Sequence, residues 1–298
     1  MIYQEIASNK RNSVLLVTIF IAVILALGYI FSLAQGDNTY AGVWIAIIIS
    51  LGMTSISYFS GDKIALAVSG AKEIAHDDNK YVYHIVENLC IANGQPVPKI
   101  YIIEDAAINA FATGRKPELA SIAITRGALE KLTNEELEGV IAHELSHVKN
   151  YDIRFMMLVA VLVGAISILS NIFLRSRWFS GGNRSNNREG GNAGAILMIV
   201  GIILAILSPI IAELIKLAIS RKREFLADAS GALLTRYPDG LAKALEKIAV
   251  DNQPLRTASN ATAHLFIASP FSGKKLSNLF STHPPIEERV KRLRAMGS

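Results

Sequence analysis

Cysteine is nearly absent from this chain: Cys90 stands alone. No intrachain disulfide can form, so the fold needs no oxidising compartment, and one thiol inside an apolar, helix-like stretch reads as packing rather than chemistry. Charge is scarce too. Asp, Glu, Lys and Arg make up 18% of the 298 residues, below the usual quarter, which is little for a soluble protein when 51% of the chain is apolar. Nothing interleaves aromatic and basic residues, so no nucleic-acid surface is expected. The net charge of +5 instead fits Lys and Arg flanking membrane spans.

The apolar residues are gathered into four charge-free runs, 14–34, 41–60, 155–174 and 193–212. As a helix, a run of about 20 residues matches a hydrocarbon core of about 30 Å. The first run follows Lys10 and Arg11. It is longer than the apolar stretch of a signal peptide, so it reads as an uncleaved anchor. Lys and Arg are missing from the loop 35–40, but abundant in 61–154 and in the tail after 219. This places the termini and polar segments in the cytoplasm. The loop between the third and fourth runs disagrees, since it carries Arg175, Arg177, Arg184 and Arg188. Either the charge rule is overridden there, or those two runs form a hairpin that does not fully cross.

The expected organisation is therefore an N-terminal transmembrane hairpin (1–60), a second hairpin (155–212), and one polar domain in two pieces, 61–154 and 213–298. The first piece begins with helical patterning to about residue 93. It continues with β-prone runs at 98–104 and 121–125 and a possible extended segment at 109–114, enough for a small sheet.

Thr133 and Glu136 form a capping-box signature, and Leu137, Val140, Ile141, Leu145 and Val148 then recur at helical spacing. Within this helix lies His143-Glu144-Leu145-Ser146-His147. Residues four apart share one helix face, so two imidazoles can bind one zinc ion. Glu144 is placed to contact the water that such a metal activates. A five-residue pattern also arises by chance, and a catalytic zinc site needs a third protein ligand. Beyond the fourth run, Glu224 and Asp228 are again four apart. The economical assignment puts Glu224 on the metal, with Asp228 accepting a hydrogen bond from the free ring nitrogen of one ligand histidine; a solvated acidic pair beside Arg221 and Arg223 is the plainer reading. The two halves can share a metal only if the third and fourth runs make two crossings or none. With straight helices the site then lies roughly 12 to 18 Å from the apolar runs.

With these residues in hand, the chain resembles the HtpX heat-shock membrane metallopeptidases, a zinc-dependent family related to the CaaX-prenyl proteases. The resemblance spans nearly the whole chain: the opening 3–10, the segment 109–114, the His143 motif, Arg223 through Asp228, the segment 263–267, and His283 with its two following prolines and Arg289. It implies a mainly α membrane protein with four membrane-associated helices and a cytoplasmic α+β, gluzincin-like zinc peptidase domain. It also implies an ATP-independent endopeptidase of protein quality control in the cell membrane, acting on cytosolic parts of damaged membrane proteins or on unfolded polypeptides. Residue by residue, His143, His147 and Glu224 match the ligands of one Zn2+, and Glu144 the catalytic glutamate. Asn109 falls in the segment resembling a substrate-binding edge strand; it contacts the peptide backbone or else serves a turn. His283 is a candidate donor to the oxyanion or else helps Pro284 and Pro285 open a helix. His264 is a weaker candidate for the same role, and His76 and His84 read as structural.

Among rival classes, a transporter would place ionisable groups inside its spans, and these runs have none. A scaffold that merely holds metal has no use for Glu144. A dedicated prenyl-protein processor fits the short, four-run chain less well.

Overall fold

The computed structural model describes residues 2–34, 40–164, 221–251, 253–256, 262–269 and 283–297. The fourth apolar run, most of the third, and the arginine-bearing loop lie outside the described residues.

Helix α1 (Ile2–Ala34) and helix α2 (Ala41–Val68) form a hairpin. Each contains a segment long and apolar enough to cross a membrane, Ile6–Ala26 and Ala41–Val68. Val14, Leu15, Trp44, Ile48 and Phe59 turn most of their surface outward, an apolar exterior that suits lipid rather than water. The helices cross where their side chains vanish: a Cβ on Gly28 would lie 2.4 Å from the Gly42 carbonyl oxygen, and Gly42 N–H donates to Ser32 Oγ at 2.9 Å. Small residues at such crossings let backbones approach closely. α2 extends past the apolar run, through Asp62 and Lys63, to Val68. The hairpin is thereby joined to the polar domain by unbroken helix.

The polar domain starts with a four-stranded sheet in the order β1-β2-β4-β3. β2 (Lys99–Ile103), β3 (Ala110–Thr113) and β4 (Ser121–Thr125) lie in the three segments with strand character. β1 (Ala71–Glu73) has three residues, too few for alternation to register. β2 and β4 are parallel; β1 and β3 run antiparallel to their neighbours, leaving β3 at an edge. Helix α3 (Lys80–Asn93), the short α4 (Arg126–Lys131) and α5 (Asn134–Lys149) follow the chain around this sheet.

α5 is the centre of the domain. Its capping box forms, Thr133 N–H donating to Glu136 Oε2 at 2.8 Å. Leu137, Val140, Ile141, Leu145 and Val148 all lie in the core. The opposite face is buried as well, under the helices Arg221–Thr235 and Pro238–Val250. Two glycines allow this. A Cβ on Gly139 would lie 2.6 Å from Leu241 N, and one on Gly231 3.0 Å from His143 N. The Glu224-bearing helix thus presses on α5 at the level of the first histidine. The third apolar run begins within a helical stretch, 152–164, whose Phe155, Leu158, Val159 and Leu162 pack on Leu16, Phe20 and Ile24 of α1.

Candidate active site

The site is assembled from α5, the Arg221–Thr235 helix and the segment leading into the C-terminal helix Ile286–Arg294. His143 Nε2 and His147 Nε2 stand 3.2 Å apart with their rings at 87°. Glu224 reaches the same point, Oε1 lying 3.6 Å from His147 Nε2 and Oε2 3.8 Å from His143 Nε2. All three side chains are buried.

Each imidazole is held from behind. His143 Nδ1 meets Asp228 Oδ1 at 2.9 Å, which decides between the two histidines that the sequence left open as partners of Asp228. His147 Nδ1 meets Asp152 Oδ2 at 2.9 Å. Both contacts hold the hydrogen on Nδ1 and aim the Nε2 lone pairs at the common point. Arg289, fully buried, grips Asp228 with two hydrogen bonds and donates through Nη1 to Ile267 O at 3.0 Å.

This donor set fits a zinc ion. Tetrahedral ligands about 2.0 Å from zinc lie roughly 3.3 Å from one another, close to the observed separations. Glu224 Oε2 is buried without a hydrogen bond among the described residues, with Arg289 Nη1 3.6 Å away, and direct ligation to a metal would satisfy it. The proton affinities of the two histidines differ. For the polypeptide alone, burial opposes protonation of both histidines. In His147, however, Asp152, Glu224 and Glu144 outweigh burial and lift the pKa to about 9. In His143 burial prevails, helped by Arg289, and the pKa falls to about 4. Ligation needs the neutral imidazole, so metal binding at His147 competes with its proton.

Glu144 sits beside these ligands, 1% exposed. Burial pushes its pKa up to about 8, against the pull of His147 and of a hydrogen bond from the Ala112 backbone on edge strand β3. His283 Nε2 lies 3.9 Å from Glu224 Oε2, with its pKa held well below the usual range by burial and by Arg289. Asn109 lies outside this group. Its Nδ2 donates to Ala268 O at 3.2 Å and its Oδ1 accepts from Ala110 N–H at 3.1 Å, so the amide is engaged with the chain's own backbone. Ile267 N–H also donates to Ala110 O at 2.9 Å, laying residues 266–268 along part of the β3 edge. His264 donates to Met156 O at 2.9 Å. His76 and His84 lie on the surface near Glu87.

Asp152 and Asn9 went unnoticed in the sequence. Asp152 had a local signal, an acidic residue five positions after His147, just ahead of an apolar run. Asn9 lies in the opening segment 3–10 that carries part of the resemblance, but nothing local points to its partners, 141 and 143 positions away.

Two imidazoles four apart on one helix, a carboxylate from a second helix and a glutamate between the histidines define a metallopeptidase of the HExxH-plus-glutamate class. Residues 76–297 match the model of Peptidase family M48. A "Protease HtpX homolog" of Caldanaerobacter subterraneus subsp. tengcongensis is 46% identical over 296 residues, covering 99% of this chain and 98% of the relative. Another, of Tropheryma whipplei strain Twist, is 42% identical and covers 100% and 99%. A crystal structure of S. mikatae Ste24p aligns with a TM-score of 0.49 at 20% identity, covering 98% of this chain and 67% of that one. The chain belongs to peptidase family M48, a zinc-dependent family, as an HtpX-like metallopeptidase acting on polypeptides, and its buried His143, His147 and Glu224 could hold a metal.

Proposed function

We propose that this chain is an endopeptidase of the cell membrane, binding one zinc per chain and cutting misfolded or damaged membrane proteins and other unfolded polypeptides on the cytoplasmic side. The observation that carries the proposal is the convergence of His143, His147 and Glu224 beside a buried Glu144.

Zinc, when bound, supplies the Lewis acid that activates a water and polarises the scissile carbonyl. Glu144 takes the proton of the attacking water and passes it to the leaving amine, so no covalent enzyme intermediate is needed. Asp228 and Asp152 keep the two imidazoles in the ligating tautomer. His283, 3.9 Å from Glu224 Oε2, donates to the oxyanion as it develops. A substrate strand adds to the free part of the β3 edge, where the Ala112 amide already faces Glu144. Asn109 serves that edge by fixing the start of β3 and residue 268.

In this reading 1–60 and 155–212 are two membrane hairpins, giving a multi-pass protein of the plasma membrane. Segments 61–154 and 213–298 form the cytoplasmic peptidase domain. Lys10 and Arg11 before the first span, and the basic residues of both polar segments, favour that orientation. The partners are lipid and polypeptide, not nucleic acid.

The deciding experiment compares wild type with Glu144→Gln in detergent, measuring zinc content and casein cleavage on the same samples. Equal zinc with cleavage by wild type alone supports the proposal. A variant as fast as wild type refutes the role of Glu144. Absence of zinc from both refutes the metal site.

A further inference from the structure

Asn9, near the start of α1, is buried at 2% exposure, and its amide is engaged on both sides. Nδ2 donates to Asn150 O at 2.9 Å and to Asp152 Oδ1 at 2.5 Å, while Oδ1 accepts from Arg223 Nη1 at 3.2 Å. Two acceptors on one side and a donor on the other fix the amide's orientation. The other oxygen of Asp152 is the one that holds His147, and Arg223 immediately precedes Glu224. One side chain from the membrane hairpin therefore touches the carboxylate that holds one ligand residue and the residue that precedes another.

The turn it touches is strained. α5 ends at Lys149, and Tyr151 adopts φ 60, the left-handed conformation that usually falls to glycine after a helix. An L side chain is disfavoured there, and the conformation persists only where contacts impose it. The contacts are visible. Lys10 Nζ lies 4.4 Å from the Tyr151 ring centroid, on the residue next to Asn9, and Arg154 flanks the same ring at 5.4 Å. The turn sends the chain back so that Asp152 meets His147.

From this we infer that the Asn9–Lys10 end of the N-terminal helix is a positioning element of the metal centre: it clamps the 150–152 turn and so holds Asp152 on His147. The inference rests on the zinc reading of the site. It makes the first membrane helix a working part of the peptidase as well as an anchor.

The test uses the full chain in detergent. Zinc affinity is measured by competition with a chromophoric chelator, together with kcat and KM on one peptide. Asn9→Leu keeps the branched shape and removes the hydrogen bonds. We expect zinc affinity to fall about tenfold, the lower end for loss of a ligand-orienting partner, and kcat to fall while KM holds. In an Asp152→Ala background the same change should have little further effect, because the two residues act through one contact. If Asn9→Leu aggregates, Asn9→Ala is read in its place with the same expectation. Unchanged zinc affinity and kcat in a folded Asn9 variant overturn the inference, as do full additivity with Asp152→Ala or a rise in KM alone. Failure of the wild type to bind zinc would instead sink the metal site itself.

Discussion

Arg289 holds Asp228 with two parallel hydrogen bonds, Nη2 to Oδ1 at 2.7 Å and Nε to Oδ2 at 2.9 Å, in a pocket closed to solvent. The same Asp228 oxygen that takes the shorter bond also faces His143 Nδ1. Burial opposes ionisation of Asp228, yet Arg289 and His143 together keep its pKa far below the ordinary carboxylate range. The pair combines two tasks, neutralising buried charge and orienting a ligand, and substitution can separate them.

Arg289→Met leaves the buried Asp228 charge with His143 but without its cation, and breaking a buried pair in this way costs about 3–5 kcal/mol. Chemical unfolding of the variant should show a loss of that order. Asp228→Met combined with Arg289→Met replaces both charges by apolar bulk and should recover much of the stability. Zinc affinity should not recover, because His143 Nδ1 then has no acceptor. A double variant that regains full zinc affinity would show that Asp228 does not orient the ligand.

Glu144 gives a prediction about pH. Its folded pKa of about 8 lies above its ordinary 4.5. Between those values the folded, metal-free chain holds a proton that the unfolded chain has lost. The contribution of Glu144 is therefore fully present below about pH 4.5 and is lost as pH rises through 8. Glu144→Gln has no such dependence. Melting temperatures of chelator-treated wild type and variant, taken from pH 5 to 9, should diverge in the variant's favour up to about pH 8 and then run parallel. Zinc should shrink the divergence, since a nearby cation favours the carboxylate. Parallel curves throughout the range would mean that Glu144 is solvated as an ordinary carboxylate.

The metal motif was legible because its logic is local. A capping box, a helical repeat and two histidines one turn apart all fall within 133–148, and Glu224 and Asp228 repeat the same spacing. What lay beyond local pattern was how the site is enclosed. α5 reads as amphipathic, yet its polar face is buried too, because that face is the site and another helix crosses it at Gly231. Asp152 depends on a left-handed Tyr151 with no glycine to announce it. Asn9 depends on a contact spanning 143 positions. Arg289 was visible in a motif, but its two bonds to Asp228 come from packing the C-terminal helix against the Glu224 helix.

His283 has two readings, which differ in what they cost. As donor to the oxyanion, its removal in His283→Ala should lower kcat about 10²–10³-fold while zinc content stays at the wild-type level. As a residue that only helps open the helix at Pro285, its removal should lower the melting temperature and leave kcat nearly intact. Its position 3.9 Å from Glu224 Oε2 favours the first. Steady-state kinetics and a melting curve on one preparation separate the two.

The hairpin offers a paired test in which one chemical change has opposite outcomes. Gly28 has the Gly42 carbonyl oxygen 2.4 Å and the Ala46 Cβ 2.5 Å from where its own Cβ would be, whereas a Cβ on Gly52 would meet nothing within 4 Å. Gly28→Ala must push α1 and α2 apart, and overpacking of this kind costs about 1–3 kcal/mol. Gly52→Ala meets no obstacle and should gain up to about 1 kcal/mol of helix propensity. Thermal unfolding in detergent should therefore rank Gly52→Ala at or above wild type and Gly28→Ala below it. Because Leu16, Phe20 and Ile24 of α1 pack on the 152–164 helix, displacement of α1 should also loosen Asn9 from Asp152. Gly28→Ala, about 19 residues further along α1, should then lose some zinc affinity as well, at roughly 28 Å by helical rise. Equal melting temperatures for the two alanine variants would contradict the close crossing of the hairpin.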